Sequence, residues 1–262
     1  MTNSALVIGG GTMGIGIVQV LLEAGVTVVL AEPDAAAATR VRDRLADRTG
    51  LTVTDAVVDA LDVDLVIEAV PENLPLKQRI LTAIEGSVPD GCLIASNTSS
   101  LSINAVARSL RRPERFIGMH FFNPVPRSLL VELVVGENTS PDTVQRAADW
   151  LERLGKEHIT VRDSPGFATS RLGIAIGMEA IRMVEEGVAS AEDIDRGMVL
   201  GYRFPMGPLR LTDLVGLDVR LAIAEHLAEE LGPRFAPPDL LRQMVADGRL
   251  GKKTGQGFYP WS

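Results

Sequence analysis

The chain has 262 residues, 46% of them apolar and 23% charged, enough for one large domain and a smaller one around real hydrophobic cores. Its net charge of −8 argues against a nucleic-acid partner held on a broad basic face. The single cysteine excludes an internal disulfide and any Cys/His metal spacing, and no apolar stretch reaches the length of a membrane span.

Taken in chain order, Met-Thr-Asn-Ser leads straight into a strand without a charged n-region or a cleavage site, which places the protein by expectation in the cytoplasm. Ala5-Leu6-Val7-Ile8 is a short apolar strand that breaks at glycines. Residues 13–24 predict a helix stopped by Gly25, and 26–31 a valine-rich strand. Residues 40–47 follow as a helix, with the alanine run 35–38 suiting its start, and then 65–70 as a buried strand. Residues 76–85 read as a helix, 93–95 as a strand, 102–110 as a helix and 116–119 as a strand. Cys92 sits in the run Gly91-Cys92-Leu93-Ile94-Ala95, where a buried structural thiol is expected. Short apolar strands alternating with helices predict a parallel sheet covered on both faces.

Near Asp163 the pattern changes. Asp163-Ser164-Pro165-Gly166 is a turn-rich break, after which strands vanish. Residues 169–186, 191–198, 209–231 and 238–247 read as helices. The expected fold is therefore α/β: a doubly wound Rossmann-type sheet domain over 1–163, followed by an all-helical domain over 164–262.

Gly9-x-Gly11-x-x-Gly14 follows the first strand and opens the first helix, with Thr12 and Met13 inside it. The first glycine allows a tight turn, the second lets backbone approach a pyrophosphate, and the third lets helix and strand pack closely. The helix N-terminus offers N–H groups to the anion. Glu32 ends the second strand eighteen residues after Gly14, where a carboxylate accepts from ribose hydroxyls and repels a 2′-phosphate. The pattern predicts NAD rather than NADP. A glycine-rich turn of another α/β protein is the plain alternative.

Three further stretches carry chemistry: Ser96-Asn97-Thr98-Ser99-Ser100-Leu101, Gly118-Met119-His120-Phe121-Phe122-Asn123-Pro124-Val125-Pro126, and Leu130-Val131-Glu132-Leu133. His120 stands at the expected C-terminal end of a strand, where such sheets bind ligands. Glu132, twelve residues on, can orient and charge-balance an imidazole. On spacing alone, a His and a Glu twelve apart are more often unrelated. These stretches, with Gly11-Thr12-Met13-Gly14, Ile67-Glu68-Ala69-Val70-Pro71-Glu72-Asn73, Pro165-Gly166-Phe167, Pro205-Met206-Gly207-Pro208-Leu209, Asp213-Leu214-Val215-Gly216-Leu217-Asp218 and Gly255-Gln256-Gly257-Phe258-Tyr259, resemble the 3-hydroxyacyl-CoA dehydrogenases over almost the whole chain. The likeness is greatest to the short bacterial 3-hydroxybutyryl-CoA dehydrogenases.

The resemblance implies an NAD-dependent interconversion of a 3-hydroxyacyl thioester and its 3-oxoacyl form. It implies His120 as general acid/base, Glu132 as its partner and Ser99 as a hydrogen-bond donor to the reacting oxygen. Glu72, Lys77 and Asn97 match cofactor-contacting positions, and Asn123, Ser170 and Arg127 are candidates on the substrate side. It also implies a helical domain that walls the cleft and forms a homodimer. No metal and no nucleic acid is expected. Ser99 has a plain alternative as the cap of the helix near Ser102. His158 reads as a strand-edge surface residue, His226 as a solvated one, and Trp150 and Trp261 as packing residues.

Three departures from the family pattern stand out. Ser170 occupies a position where the family has Asn, offering a shorter group with one donor, and lower activity on ordinary 3-hydroxyacyl-CoA is expected. Thirty positions separate Asp34 from Asp64, so the family's CoA-gripping helical hairpin is trimmed. Arg127 and Leu129 alter the stretch before Glu132; Arg127 is either an exposed loop charge or a ligand for a polar acyl group or a phosphopantetheine phosphate. The cluster Arg108, Arg111, Arg112 and Arg115 is either a solvated face or a dock for an acidic carrier. Together these favour, as an alternative, a dehydrogenase acting on an acyl-carrier-protein-bound glyceryl unit for hydroxymalonyl or methoxymalonyl extender synthesis. A second alternative is a catalytically inert, crystallin-like NAD-binding protein, against which the retention of Ser99, His120 and Glu132 argues.

Overall fold

Ser4–Ile8 forms β1, apolar at four of five positions and buried on both sides, as a strand in the middle of a parallel sheet must be. The computed structural model describes residues 3–56 and 62–261. They fall into two compact units, Met1–Ser164 and Pro165–Ser262.

In the first unit, β1 pairs in parallel with β2 (Thr27–Ala31) on one side and with β4 (Leu65–Glu68) on the other. The sheet order is β3-β2-β1-β4-β5-β6-β7-β8, with β3 Leu51–Thr54, β5 Leu93–Ser96, β6 Phe116–Phe121, β7 Leu130–Val135 and β8 Glu157–Arg162. The chain winds outward from β1 in one direction and then, from β4 onward, in the other. That reversal opens a crevice at the carboxyl ends of β1 and β4. The covering helices are α1 (Thr12–Glu23), α2 (Ala35–Arg44), α3 (Leu74–Glu85), α4 (Ile103–Ala107) and α5 (Pro141–Arg153). Asp34, Asn73, Ser102 and Ser140 each cap the helix that follows with a side-chain oxygen.

The sheet is parallel, as the alternation of strands and helices predicts, except at one pairing, where β7 runs antiparallel to β6. Only residues 122–129 join the two strands, too few for the crossover of a dozen or more residues that a parallel pairing needs. β8 returns to a parallel pairing with β7 through α5, a helix that the sequence reading passes over. Its buried Thr143, Ala147, Trp150 and Leu151 carry the helical period, so the signal was present. β3 was also passed over, being short and only half-buried.

The second unit is helical: α6 (Thr169–Glu185), α7 (Ala191–Tyr202), α8 (Pro208–Val215), α9 (Leu217–Leu231) and α10 (Asp239–Ala246). The single helix expected over 209–231 is two helices. Gly216 at φ 108°, outside the helical region, breaks it. Ile174, Met178, Ile181, Leu209, Leu227 and Leu241 form the core of this unit. Asp213 accepts from the Phe258 and Tyr259 amides and from Trp261 Nε1, fastening the last residues to α8. Trp261 and the buried Trp150 are packing residues, as expected. No helix among the described residues is long and apolar enough to cross a membrane.

Candidate active site

The glycine-rich turn is shaped by close approach. Gly9 has φ 105°, and a Cβ there would stand 2.7 Å from the Ala69 carbonyl oxygen at the end of β4. A Cβ on Gly14 would stand 1.8 Å from the Gly9 carbonyl oxygen, so only glycine lets α1 start this near the strand. Gly11 caps α1 without a side chain, and the space around it is open. A cavity of about 660 Å³ lies here, lined by Gly9, Gly11, Thr12, Met13, Glu32 and Arg40 among others. Glu32 is already positioned: its carboxylate accepts from the Gly10 amide at 2.6 Å and the Asp34 amide at 2.9 Å. Open amides at a helix N-terminus beside an apolar slot and a fixed carboxylate suit a dinucleotide.

A second cavity of about 350 Å³ shares Met13, Ala69 and Val70 with the first and is lined by Glu72, Asn97, Ser99, His120, Phe122 and Asn123. The β6–β7 turn-back makes the His120–Glu132 pair, since the antiparallel register sets these residues directly opposite each other. His120 Nδ1 lies 2.7 Å from Glu132 Oε2, with Glu132 fully buried and His120 nearly so. Phe122 packs against the imidazole at 4.5 Å between ring centroids. Asn97, just past β5, accepts from the Phe121 amide at 2.9 Å, which fixes its side chain beside His120.

Glu72 organises the neighbouring loop. One of its oxygens accepts from Thr98 Oγ1 (2.8 Å), the Ser99 amide (2.6 Å) and Ser99 Oγ (3.1 Å), and also from the Ser100 amide and hydroxyl. Burial alone would raise the Glu72 carboxyl, but Lys77 and the bonds from Thr98 and Ser99 hold it below the ordinary glutamate value. Ser99 is thus a loop residue tied to Glu72, and the cap of α4 is Ser102.

Lys77 is fully buried. Its ammonium donates to Glu68 (2.7 Å) and the Val70 carbonyl (3.1 Å) and lies 3.3 Å from Glu72. Lys77 does not line either cavity. Glu68, also fully buried, accepts from Ser96 Oγ and the Val70 amide as well. In the sequence Glu68 is one residue of the Ile67–Asn73 motif. A carboxylate ending an otherwise apolar buried strand is the signal that singles it out.

Lys156 was missed and has no local signal. Its buried ammonium donates to the Val125 and Ser128 carbonyls at 2.7 and 2.6 Å, pinning the loop between β6 and β7 that carries Asn123 and the cis bond to Pro124. Arg127, on the same loop, is exposed and lines neither cavity. Of the arginine cluster, Arg115 is buried and bonds the Glu85 and Pro89 carbonyls, while Arg112 pairs with Asp90 and Glu114. Arg111 has a carboxylate partner too, its Nε lying 3.7 Å from Glu85, so three of the four arginines are already engaged within the chain. Cys92 is buried, and burial pushes its thiol up to about 12. Ser170 lies in the first turn of α6, in the helical unit. No cluster of metal-ligating side chains occurs among the described residues.

A family model described as 3-hydroxyacyl-CoA dehydrogenase, NAD binding domain, matches residues 4–50 and 47–164, and one for the C-terminal domain of the same enzymes matches 166–261. The chain belongs to the 3-hydroxyacyl-CoA dehydrogenase family. A 3-hydroxybutyryl-CoA dehydrogenase of Mycobacterium tuberculosis is 42% identical over 97% of both chains. The human mitochondrial hydroxyacyl-coenzyme A dehydrogenase is 39% identical over 97% of this chain and 90% of the relative. The crystal structure of an (S)-3-hydroxybutyryl-CoA dehydrogenase from Ralstonia eutropha superposes with a TM-score of 0.93 at 42% identity, each chain covered completely. As a member of this family the protein is an NAD-dependent dehydrogenase, and the glycine-rich cavity is of the form its cofactor requires.

Proposed function

We propose that this dehydrogenase interconverts a short 3-hydroxyacyl thioester, 3-hydroxybutyryl-CoA in the first instance, with its 3-oxoacyl form. The observation that carries the proposal is the His120–Glu132 pair at 2.7 Å on the wall of a cavity continuous in its lining with the glycine-rich one. Bound NAD supplies a hydride acceptor. In oxidation the His120 imidazole takes the hydroxyl proton as C3 gives up its hydride and the C3–O bond becomes a carbonyl. The buried Glu132 carboxylate balances the imidazolium and fixes the ring. Ser99, its amide held by Glu72, turns its hydroxyl from that carboxylate to donate to the reacting oxygen as its charge changes. Gly9, Gly11, Thr12 and Met13 cradle the pyrophosphate, Glu32 binds ribose hydroxyls, and Asn97 and Asn123 border the reacting end. In reduction the same groups act in reverse.

The test is NADH formation from 3-hydroxybutyryl-CoA, and its consumption with acetoacetyl-CoA, run beside a glyceryl group on a phosphopantetheinylated carrier protein. Turnover of the CoA pair is the expected result. Turnover on the carrier alone would move the substrate to a carrier-bound unit, a reading supported by the short β2–β4 connection, which holds only α2 and β3 among its described residues. No turnover on any thioester, with NAD binding intact, would mark an inert binding protein.

We also infer a homodimer. Of the twelve large apolar side chains most exposed among the described residues, ten lie in the helical unit, on α6 to α9 and the turn after α6. A second copy of the same surface is the partner that such a set best suits.

A further inference from the structure

Lys156 stands in the turn between α5 and β8, just after Gly155 at φ 64°. It is buried, and its ammonium grips two carbonyls of one turn, those of Val125 and Ser128. No main-chain amide among the described residues donates to either carbonyl, so the ammonium is what satisfies them. No carboxylate pairs with Lys156 among the described residues. Burial lowers its pKa below the ordinary lysine value, against a weaker pull upward from Glu23 on α1. A buried cation held by carbonyls alone is a costly way to close a turn. What that turn carries gives the cost a reason.

The turn is 122–129, between β6 and β7. At its start Phe122 packs against the His120 imidazole, and Phe122 and Asn123 both line the second cavity. At its end the chain enters β7 two residues before Glu132. The Glu132 bond fixes the imidazole at one atom, Nδ1, and the Phe122 ring restrains its plane. The turn also meets the nucleotide side of the crevice. Val125 is buried, and a Cβ on Gly16 of α1 would stand 2.8 Å from Val125 Cβ. Gly16 thus lets α1 lie directly against the turn on one side, while Lys156 holds its carbonyls on another. The same helix begins with Thr12 and Met13, which line the first cavity. Lys156 itself lines neither cavity.

We propose that Lys156 is a positioning residue for the dehydrogenase reaction: through the 122–129 turn it holds Phe122 against His120 and Asn123 at the reacting end, which aims the imidazole Nε2 at the substrate hydroxyl. This rests on the thioester dehydrogenase reading above and adds to it a residue that touches neither substrate nor cofactor. Gly16 serves the same turn from the α1 side.

The experiment measures kcat and KM with 3-hydroxybutyryl-CoA for the full chain and its K156M, K156R and G16A variants. Each kcat is counted per NADH-binding site, with sites and affinity taken from fluorescence titration. A change that only loosened the fold would reduce the number of sites and leave kcat per site as it was. The positioning role predicts the reverse. K156M should keep its sites and its NADH affinity while kcat per site falls by roughly tenfold to a hundredfold, the scale of a displacement of about 1 Å at a reacting group. KM should change less than kcat, because no group that binds the thioester is removed. K156R keeps a cation with several donors and should recover part of the loss. G16A leaves Lys156 in place and presses on Val125 from α1, so it should show the same signature, and it decides the matter should K156M not fold. An unchanged kcat per site in K156M, or in G16A where K156M does not fold, overturns the proposal and leaves the thioester reading standing. A K156R as impaired as K156M overturns it too, because the loss then follows packing rather than the two bonds. No turnover by the wild type on any thioester removes the underlying reading and this one together.

Discussion

His120 and Glu132 show how a pair of side chains obtains its role from backbone register. Replacing His120 by Ala removes the proton acceptor but leaves the glycine-rich cavity untouched, since His120 lines only the second cavity. Turnover is expected to fall by about 10²- to 10⁴-fold with NAD affinity nearly unchanged. Stopped-flow rates beside fluorescence titration of NADH test this, and an equal loss of both would contradict the role. Glu32 acts on the other side of the crevice. Its carboxylate already accepts from Gly10 and Asp34, so it meets a cofactor as a fixed acceptor rather than a mobile one. Glu32→Ala is expected to reduce the preference for NAD over NADP by at least about tenfold, the scale of one charge-assisted bond. An unchanged preference would show that Glu32 does not reach the ribose.

Between elements, α3 sends Lys77 under the ends of β4 and β5, where it bonds Glu68 and lies beside Glu72. Lys77→Met would strand the Glu68 carboxylate without its cation in a fully buried site. A loss of about 3–5 kcal/mol in urea unfolding is expected, with much of it recovered in the Glu68→Leu, Lys77→Met double variant. Failure of the double variant to recover would mean that the pair is not the source of the loss. Glu72 adds a pH dependence. Its carboxyl is held low in the folded chain, so its contribution is complete above the usual value near 4.5 and fades as pH falls below that through the folded value. Glu72→Gln should therefore flatten the acid limb of stability measured by denaturant titration between pH 3 and 6. A limb of unchanged steepness would assign the loss to other carboxylates.

Much of this element-level picture was legible in the sequence, and the reasons for the gaps are physical. The apolar runs of β1, β4, β5 and β6 read clearly because both faces of those strands are buried. The glycine spacing read clearly because each glycine answers a separate steric demand. β7 was recognised for its chemistry but not its direction, which the eight-residue connection decides. Lys156 and the Glu68–Lys77 pair were illegible as partners because each bond spans elements that meet only after folding.

At the scale of the whole molecule, the helical unit carries more apolar surface than its own fold consumes. Its core is complete, with Ile174, Leu209, Leu217, Ala224, Leu227 and Leu241 fully buried. Yet Leu200 is 68% exposed and Tyr202 75%, and Leu172, Leu214, Val215 and Val219 are exposed as well. Side chains left in water at that cost are better explained by association than by folding. A specific pair of copies would bury about 800 Å² on each. Sedimentation velocity at micromolar concentration is expected to give twice the chain mass. The double variant Leu200→Glu, Tyr202→Glu should sediment as a monomer. Because both residues point into water rather than into the core, its urea midpoint at low protein concentration should differ little from that of wild-type monomer. A wild-type chain that is monomeric across that range would remove the dimer and leave the exposed helices to be explained by a different partner.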